Sequence, residues 1–313
     1  MAVQAPEIFR VDAKAEFNAA VDACLLICQF NAQAKKPKIE ASVYPDLCRT
    51  LDSKQVIGLR DGTFVADMTR HDRWGHLIGE MTYQWRSGLK HDCSRVMELR
   101  CEDGVFINGF EQVVEIEDDY VFPCAKATDL KNGRFEKPRK WMIVTQQQIG
   151  DETQTIRLKA PKTWDYLCQH SNLLDARRSS IYRNRPQFSV FGVGKYSFSP
   201  WKVAISGLHK SLNFSVIPPL NGKPVIPDDT CYFIPCDHES EAMFLAELLN
   251  SHPSQEFLRS FVFWDSKRPV TIETLKKLDM LQIATELDVR EKFFSLVSSW
   301  SGLVGTSQLK LFQ

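Results

Sequence analysis

Apolar and polar positions change rhythm along this chain, and the changes mark out elements. Ala19–Phe30 is a short apolar run, interrupted by Asp22 and followed by a polar stretch, which predicts a buried strand with a hairpin partner nearby. Gln55–Leu59 and Thr63–Asp67 flank Arg60-Asp61-Gly62, and Val105–Ile107 and Gln112–Ile116 flank Asn108-Gly109. Both pairs read as β-hairpins. Lys140–Gln146 and Thr153–Leu158 read as two further strands. Pro161 opens a helix expected to run to about Ser180, with Trp164, Leu167, Cys168 and Leu174 on its apolar face. Phe188–Phe191, Trp201–Ser206, Phe214–Ile217 and Thr230–Pro235 form a strand-rich block, and helices are expected over Glu239–Asn250, Ser254–Phe263, Thr271–Asp279 and Thr285–Trp300.

This order lacks the regular strand–helix alternation of a doubly wound sheet. The expected fold class is α+β, with mixed irregular sheets and helices. A smaller strand-rich piece, residues 1–74, precedes a main domain over residues 75–313. No apolar run approaches the ~20 residues of a membrane-spanning helix, so no membrane partner is expected. The N-terminus lacks the basic and apolar regions of a signal peptide, and the expectation is a cytoplasmic protein. Nine cysteines with no C-x-x-C pair then read as reduced thiols. Cys231, Cys236 and His238 match no standard zinc spacing, so buried structural thiols are expected there.

Charge changes the picture through its distribution. The chain has 39 Lys plus Arg and 39 Asp plus Glu, a balance that by itself disfavours nucleic acid. Between Ala176 and Pro227, however, there are eight bases and no acid: Arg177, Arg178, Arg183, Arg185, Lys195, Lys202, Lys210 and Lys223. Aromatic residues, among them Tyr182, Tyr196 and Trp201, are interleaved with them. Between Cys101 and Phe122 there are seven acids and no base. The neutral sum therefore hides two opposed regions.

Complete catalytic signatures are missing. There is no phosphate-cradling G-x-x-x-x-G-K-[ST] loop, and Gly192-Val193-Gly194 lacks the third glycine of a dinucleotide fingerprint. Neither G-x-S-x-G nor H-E-x-x-H occurs. The single Pro-Pro, in Ile217-Pro218-Pro219-Leu220, offers no amide or carboxylate to hold an amino group. Two sets carry the residue types of a metal-dependent nuclease: Pro45-Asp46 with Asp52-Ser53-Lys54, and Pro227-Asp228 with Asp265-Ser266-Lys267. A solvated turn is the better reading of both.

Several segments together resemble a known group. They are Ala246–Met280 (AELLNSHPSQEFLRSFVFWDSKRPVTIETLKKLDM), Trp85–Cys93, Pro123–Leu130, Phe188–Trp201 and Asp228–Tyr232. In this order they are similar to the C-terminal target-recognition domains of TaqI-type (gamma-class) adenine-specific DNA methyltransferases and related restriction–modification enzymes. Glu16–Leu25 resembles the last motif of the catalytic domain of such enzymes, where an aromatic residue stacks on the extruded adenine; Phe17 is the matching position. The family's S-adenosylmethionine loop and Asn-Pro-Pro-Tyr loop precede that motif, and neither is found here.

The resemblance implies a target-recognition-domain-like fold behind a small remnant of a catalytic domain. It also implies double-stranded DNA as a partner. It further implies an upstream catalytic domain or subunit, no cofactor in this chain, and S-adenosylmethionine in the holoenzyme. Phe17 becomes a base-stacking candidate. The candidate DNA-binding residues are Arg86, Lys90, His91, Lys126, Arg177, Arg178, Lys195, Tyr196, Lys202, Lys210 and Arg268. Lys and Arg would neutralise phosphates, while a few loop side chains, Gln146-Gln147-Gln148 included, would read base edges. Strand alternation lets Lys202 reach outward while Val203 packs, and Gly88 permits close backbone approach to a partner. Asp228 and Asp229 are expected to order a turn, and no metal site is expected. Two other readings stay open: a metal-dependent restriction nuclease, and an interaction subunit that docks on a separate catalytic chain through Ala2–Phe30.

Overall fold

The computed structural model describes residues 2–31, 40–48, 55–130, 133 and 135–297. Asp52-Ser53-Lys54, and the predicted Thr285–Trp300 helix beyond Val297, lie outside the described residues. The chain forms two units: Met1–Ile78 with His252–Asp265, and Gly79–Ser251 with Ser266–Gln313. The sequence pattern places a boundary at 74/75; the contacts place it at 78/79 and return 252–265 to the first unit.

The first unit is built on five strands, β1 (Ala2–Val11), β2 (Ala23–Asn31), β3 (Glu40–Tyr44), β4 (Gln55–Arg60) and β5 (Thr63–Val65), in the order β2-β1-β3-β4-β5. β3 runs parallel to β1; the other pairings are antiparallel. Phe9 stacks on Tyr44 across the sheet with ring centroids 4.8 Å apart. The β4–β5 hairpin closes at the expected place: Arg60 pairs with Thr63, and Asp61 and Gly62 take φ of 47° and 78°, as a tight hairpin turn requires. Between β1 and β2, Asp12 caps the short helix Ala13–Phe17 by accepting from the Lys14 and Ala15 amides. Helices Met68–Trp74 and His252–Arg259 pack together, and Arg70 joins them, 2.6 Å from Asp67 and 2.8 Å from Glu256.

The apolar run after Ala19 is a strand, but it is not buried. Leu25, Leu26 and Ile27 are 48%, 57% and 42% exposed. β2 is the outer strand of its sheet, so neither face is covered as a central strand's would be.

The second unit holds two sheets. One contains β14 (Ile226–Pro227), β10 (Val121–Ala125), β11 (Lys140–Ile143), β7 (Glu98–Glu102), β8 (Val105–Ile107) and β9 (Val113–Val114), in that spatial order. The other contains β13 (Ser215–Ile217), β12 (Trp201–Ser206), β15 (Cys231–Cys236) and β6 (Arg86–Ser87). Leu99, Val121, Met142, Leu167, Phe188 and Ile226 are buried in the first sheet's core. Ala204, Ile217, Val225 and Phe233 form a second cluster. Cys231 and Cys236 are buried, as expected of structural thiols. The architecture is α+β with mixed sheets. Among the described residues no helix is long and apolar enough to cross a membrane.

Several local expectations fail for identifiable reasons. Thr153–Leu158 is helical, ending in the helix Ile156–Lys159, because Thr153 donates its hydroxyl to the Gln187 carbonyl and the following Ala160 leads into a second helix at Pro161. That second helix stops at Gln169, and a short helix Ser171–Asp175 follows. Phe188–Phe191 makes a single bridge, Phe191 with Lys90, and Phe188 has a φ of 62° that no strand accommodates. Thr271–Asp279 is helical only over Ile272–Leu275. The predicted Thr285–Trp300 helix starts only at Arg290 among the described residues; Thr285 and Glu286 end a separate helix, Met280–Glu286, and Asp288 divides the two with a φ of 57°.

The Asn108-Gly109 hairpin also differs in kind. Ile107 pairs with Val113, so five residues make the turn, and Asn108 is its buried centre. Its Oδ1 accepts the amides of Phe110 at 2.9 Å and Gln112 at 3.1 Å, and its Nδ2 donates to the Gln112 side-chain Oε1 and the Tyr166 hydroxyl. Asn108→Ala removes the acceptor of two part-buried amides. It is expected to lower stability by about 1–2 kcal/mol in urea denaturation.

Candidate nucleic-acid interface

The centre of the second unit is a buried ionic network. Glu98, at the start of β7, receives Lys126 Nζ at 2.7 Å and lies 3.3 Å from His91 Nε2. Lys126 also lies 3.4 Å from Asp228, whose carboxylate accepts the Thr230 amide and hydroxyl. His91 Nδ1 accepts the Cys93 amide at 3.1 Å, which places the ring proton on Nε2, facing Glu98. Burial alone would raise the Glu98 carboxyl, but the hydrogen bonds from His91 and Lys126 outweigh it and hold the group down at about 2. Burial pulls Lys126 down, and Glu98 and Asp228 together lift it above its ordinary value. Asp228 is raised, chiefly by burial. Glu98 carries no signal of this role in the sequence, since its lysine partner is 28 positions away.

This network fixes the segment after β6. Gly88 N donates to Cys231 O, Leu89 N to Pro227 O, and Lys90 exchanges both backbone bonds with Phe191. A Cβ on Gly88 would lie 2.0 Å from the Asp228 carbonyl oxygen, so the close approach that glycine permits here is to the chain itself. Arg86 places its guanidinium 4.3 Å from the Tyr196 ring centre and donates to Gln84. Lys90 is 3.6 Å from Asp92. His91 is buried, and Lys126 is held between two carboxylates. Those two side chains are therefore committed internally, not presented to a partner.

The basic stretch divides in the same way. Arg177 donates to the carbonyls of Leu174, Ser189 and His91, and its guanidinium stacks 3.8 Å from the Tyr182 ring centre. Burial lowers its pKa from the ordinary value. Lys223 donates to the carbonyls of Asp118 and Val121 and lies 2.6 Å from the Asp118 carboxylate. Lys202 reverses its expectation altogether: it is fully buried, with Nζ 2.6 Å from the Ser199 carbonyl. The reason is that β12 is a central strand with Val203, Ala204 and Ile205 all buried, so alternation offers it no solvated face. Burial pushes its amine down to about 7. Arg178, Arg183, Arg185, Lys195 and Lys210 remain exposed.

The other candidates fall as follows. Phe17 is 69% exposed at the end of its short helix. Arg268 donates to the Asp229 carbonyl at 2.9 Å and lies 3.7 Å from its carboxylate. Gln146 is buried, bridging Val190 N and Asp151 O, whereas Gln147 and Gln148 are exposed and turn about the Asp151 carboxylate. Asp46 accepts the Cys48 amide, and Asp265 pairs with Arg10 at 2.6 Å. Among the described residues no group of three or more His, Cys, Asp or Glu side chains is disposed to hold a metal ion. Among the described residues Arg178, Arg183, Arg185, Lys195 and Lys210 are exposed and within ion-pair distance of no carboxylate, a chemistry for binding polyanions.

Comparison with known proteins gives one strong likeness. The chain is 40% identical over 279 residues to the type II methyltransferase M.NspV of Nostoc sp.. The match covers 88% of this chain and 57% of that protein, so the chain spans little more than half the length of the curated relative it matches. The chain is therefore related to a type II methyltransferase. The solved structure of the type IIL restriction-modification enzyme MmeI in complex with DNA is 14% identical, covering 78% of this chain and 31% of that one with a TM-score of 0.42. That likeness is too distant to carry an assignment. No protein-family model matches.

Two variants test the electrostatic reading of this unit. A carboxyl held near 2 stabilises the fold above its unfolded value, and that stability is lost as pH falls towards 2. Glu98→Gln is expected to cost about 3 kcal/mol at neutral pH and to flatten the loss of stability between about pH 5 and 2, read by urea denaturation. Lys202 has the opposite sense: its lowered pKa makes stability rise between about pH 7 and 10, where only the unfolded chain holds the proton. Lys202→Met is expected to remove that rise and to gain on the order of 2 kcal/mol at pH 7.

Proposed function

We propose that this chain provides sequence-specific DNA recognition for an adenine-N6 methyltransferase of a restriction–modification system. The observation that carries the reading is the 40% identity to a type II methyltransferase, in a match that spans 57% of that relative. The cations left exposed in the basic stretch support DNA as the partner: Arg178, Arg183, Arg185, Lys195 and Lys210 have the chemistry to neutralise phosphates. Arg86 with Tyr196, Lys90, and the exposed Gln147 and Gln148 are the side chains best suited to reading base edges nearby. His91, Lys126, Arg177 and Lys202 serve as supports, since each is spent inside the unit.

On this reading, S-adenosylmethionine and the group that polarises the adenine amine belong to a catalytic domain or subunit outside these 313 residues. The exposed apolar strand β2 supports such a partner, because Leu25, Leu26 and Ile27 lie along an open sheet edge, and a long apolar edge invites another chain to pair with it. Phe17, exposed between β1 and β2, has the character of an aromatic that stacks on an extruded base.

Fluorescence anisotropy with a labelled duplex tests the reading. Binding is expected at low ionic strength and weakens with salt, with log K falling by about 0.9 per log salt for each phosphate contact. A purified chain with no salt-dependent affinity for duplex DNA would contradict the proposal.

A further inference from the structure

We propose that the loop following Asp175 forms a seat for a single phosphodiester group of a nucleic-acid backbone, a proposal that rests on the DNA reading above and gives two of its exposed cations, Arg183 and Arg185, one shared ligand. A cavity of 210 Å³ opens there, lined by Arg177, Arg183, Arg185, Ser179 and Tyr182, with Asp175 as its one acid. Three guanidiniums against one carboxylate leave the cavity positive. The floor is Arg177. Its hydrogen bonds run to the carbonyls of Leu174, Ser189 and His91, which orient the guanidinium without cancelling its charge, and the Tyr182 ring covers it. Arg183 and Arg185 are exposed, and among the described residues no carboxylate lies within ion-pair distance of either.

The loop is held in place from behind. Thr153 Oγ1 donates to Gln187 O, and Thr145 Oγ1 donates to Phe188 O at 2.8 Å, while the Phe188 ring is fully buried. Asn184, between the two exposed arginines, takes a φ of 56°. The two guanidiniums therefore project from a backbone whose shape is set before anything binds, which reduces the ordering that binding requires.

Size and chemistry select the ligand. Small-molecule sites are mostly apolar and occupy ~300–1,000 Å³; this cavity is smaller and charged. A guanidinium donates in a planar fork that matches phosphate oxygens, so clustered arginines favour that group over a chloride or a lone carboxylate. A backbone phosphodiester fits better than a free nucleotide because the cavity, at 210 Å³, is below the ~300–1,000 Å³ of a small-molecule site.

The test measures anisotropy of a mixed-sequence 30-base-pair duplex against potassium chloride concentration, for the wild type and for Arg183→Gln/Arg185→Gln. Both side chains are exposed, and the charge-preserving Arg183→Lys/Arg185→Lys variant controls for the fold. The glutamine pair is expected to bind about tenfold more weakly at low salt and to lose one to two from the magnitude of the salt slope, at about 0.9 per contact. The lysine pair is expected to keep most of that slope. A glutamine pair with wild-type affinity and slope overturns the seat while leaving DNA binding intact. A wild type with no salt-dependent binding overturns the DNA reading and the seat with it. Inorganic phosphate is expected to displace the duplex no better than chloride of equal ionic strength; displacement at low millimolar phosphate would assign the seat to free phosphate and overturn the proposal.

Discussion

Glu98 is the charge on which the larger unit depends. It sits almost out of solvent, and two donors from different parts of the chain, His91 Nε2 and Lys126 Nζ, meet on its Oε1. Lys126 carries the link on to Asp228, and the Asp228 carbonyl region is where Gly88 passes with no room for a side chain. The strand β7, the end of β10 and the turn before β15 are thus tied at one point. An isolated buried carboxylate would be expelled or protonated; this one stays charged because two donors outweigh its desolvation. The segment from Arg86 to His91 inherits its position from that balance, and so does Arg177, whose guanidinium is anchored in part on the His91 carbonyl.

A neutral chain can still carry a cationic surface if it sorts its charges. Here Lys126, Lys202, Lys223 and Arg177 are consumed by carbonyls, carboxylates and burial, whereas Arg178, Arg183, Arg185, Lys195 and Lys210 are left to solvent. The acidic run after Cys101 behaves differently. Glu111 pairs with Arg100, and Glu117 caps the helix at Pro161 by accepting the Lys162 and Thr163 amides. Acids that work within the fold do not cancel cations that face outward, so the net charge says little about what the surface attracts.

What was legible in the sequence was local. Asp61-Gly62 marked its hairpin, and Glu239–Asn250 was recognisable as a helix with the ends it has in the structure. Trp201–Ser206 and the strand near Thr230–Pro235 were legible from their apolar content. The Asp103-Gly104 turn carries the same hairpin signal, and Glu102 pairs with Val105 across it. What could not be read depended on distant partners. Thr153 is drawn into a helical turn by the Gln187 carbonyl, against the preference of its neighbours for strand. Lys202 looked outward because alternation assumes one wet face, and its strand has none. The basic stretch was visible as a stretch, but which of its cations face solvent was decided by carbonyls on other segments.

On the proposed reading, the outward cations between Arg178 and Lys210 form the face that meets DNA, with the buried network behind them unchanged. Hydrogen exchange of the chain with and without duplex DNA tests this most directly. Added protection is expected across residues 178–196 and around Lys210, with no change in the Cys101–Phe122 segment. Protection confined to that acidic segment, with none between Arg178 and Lys210, would contradict it.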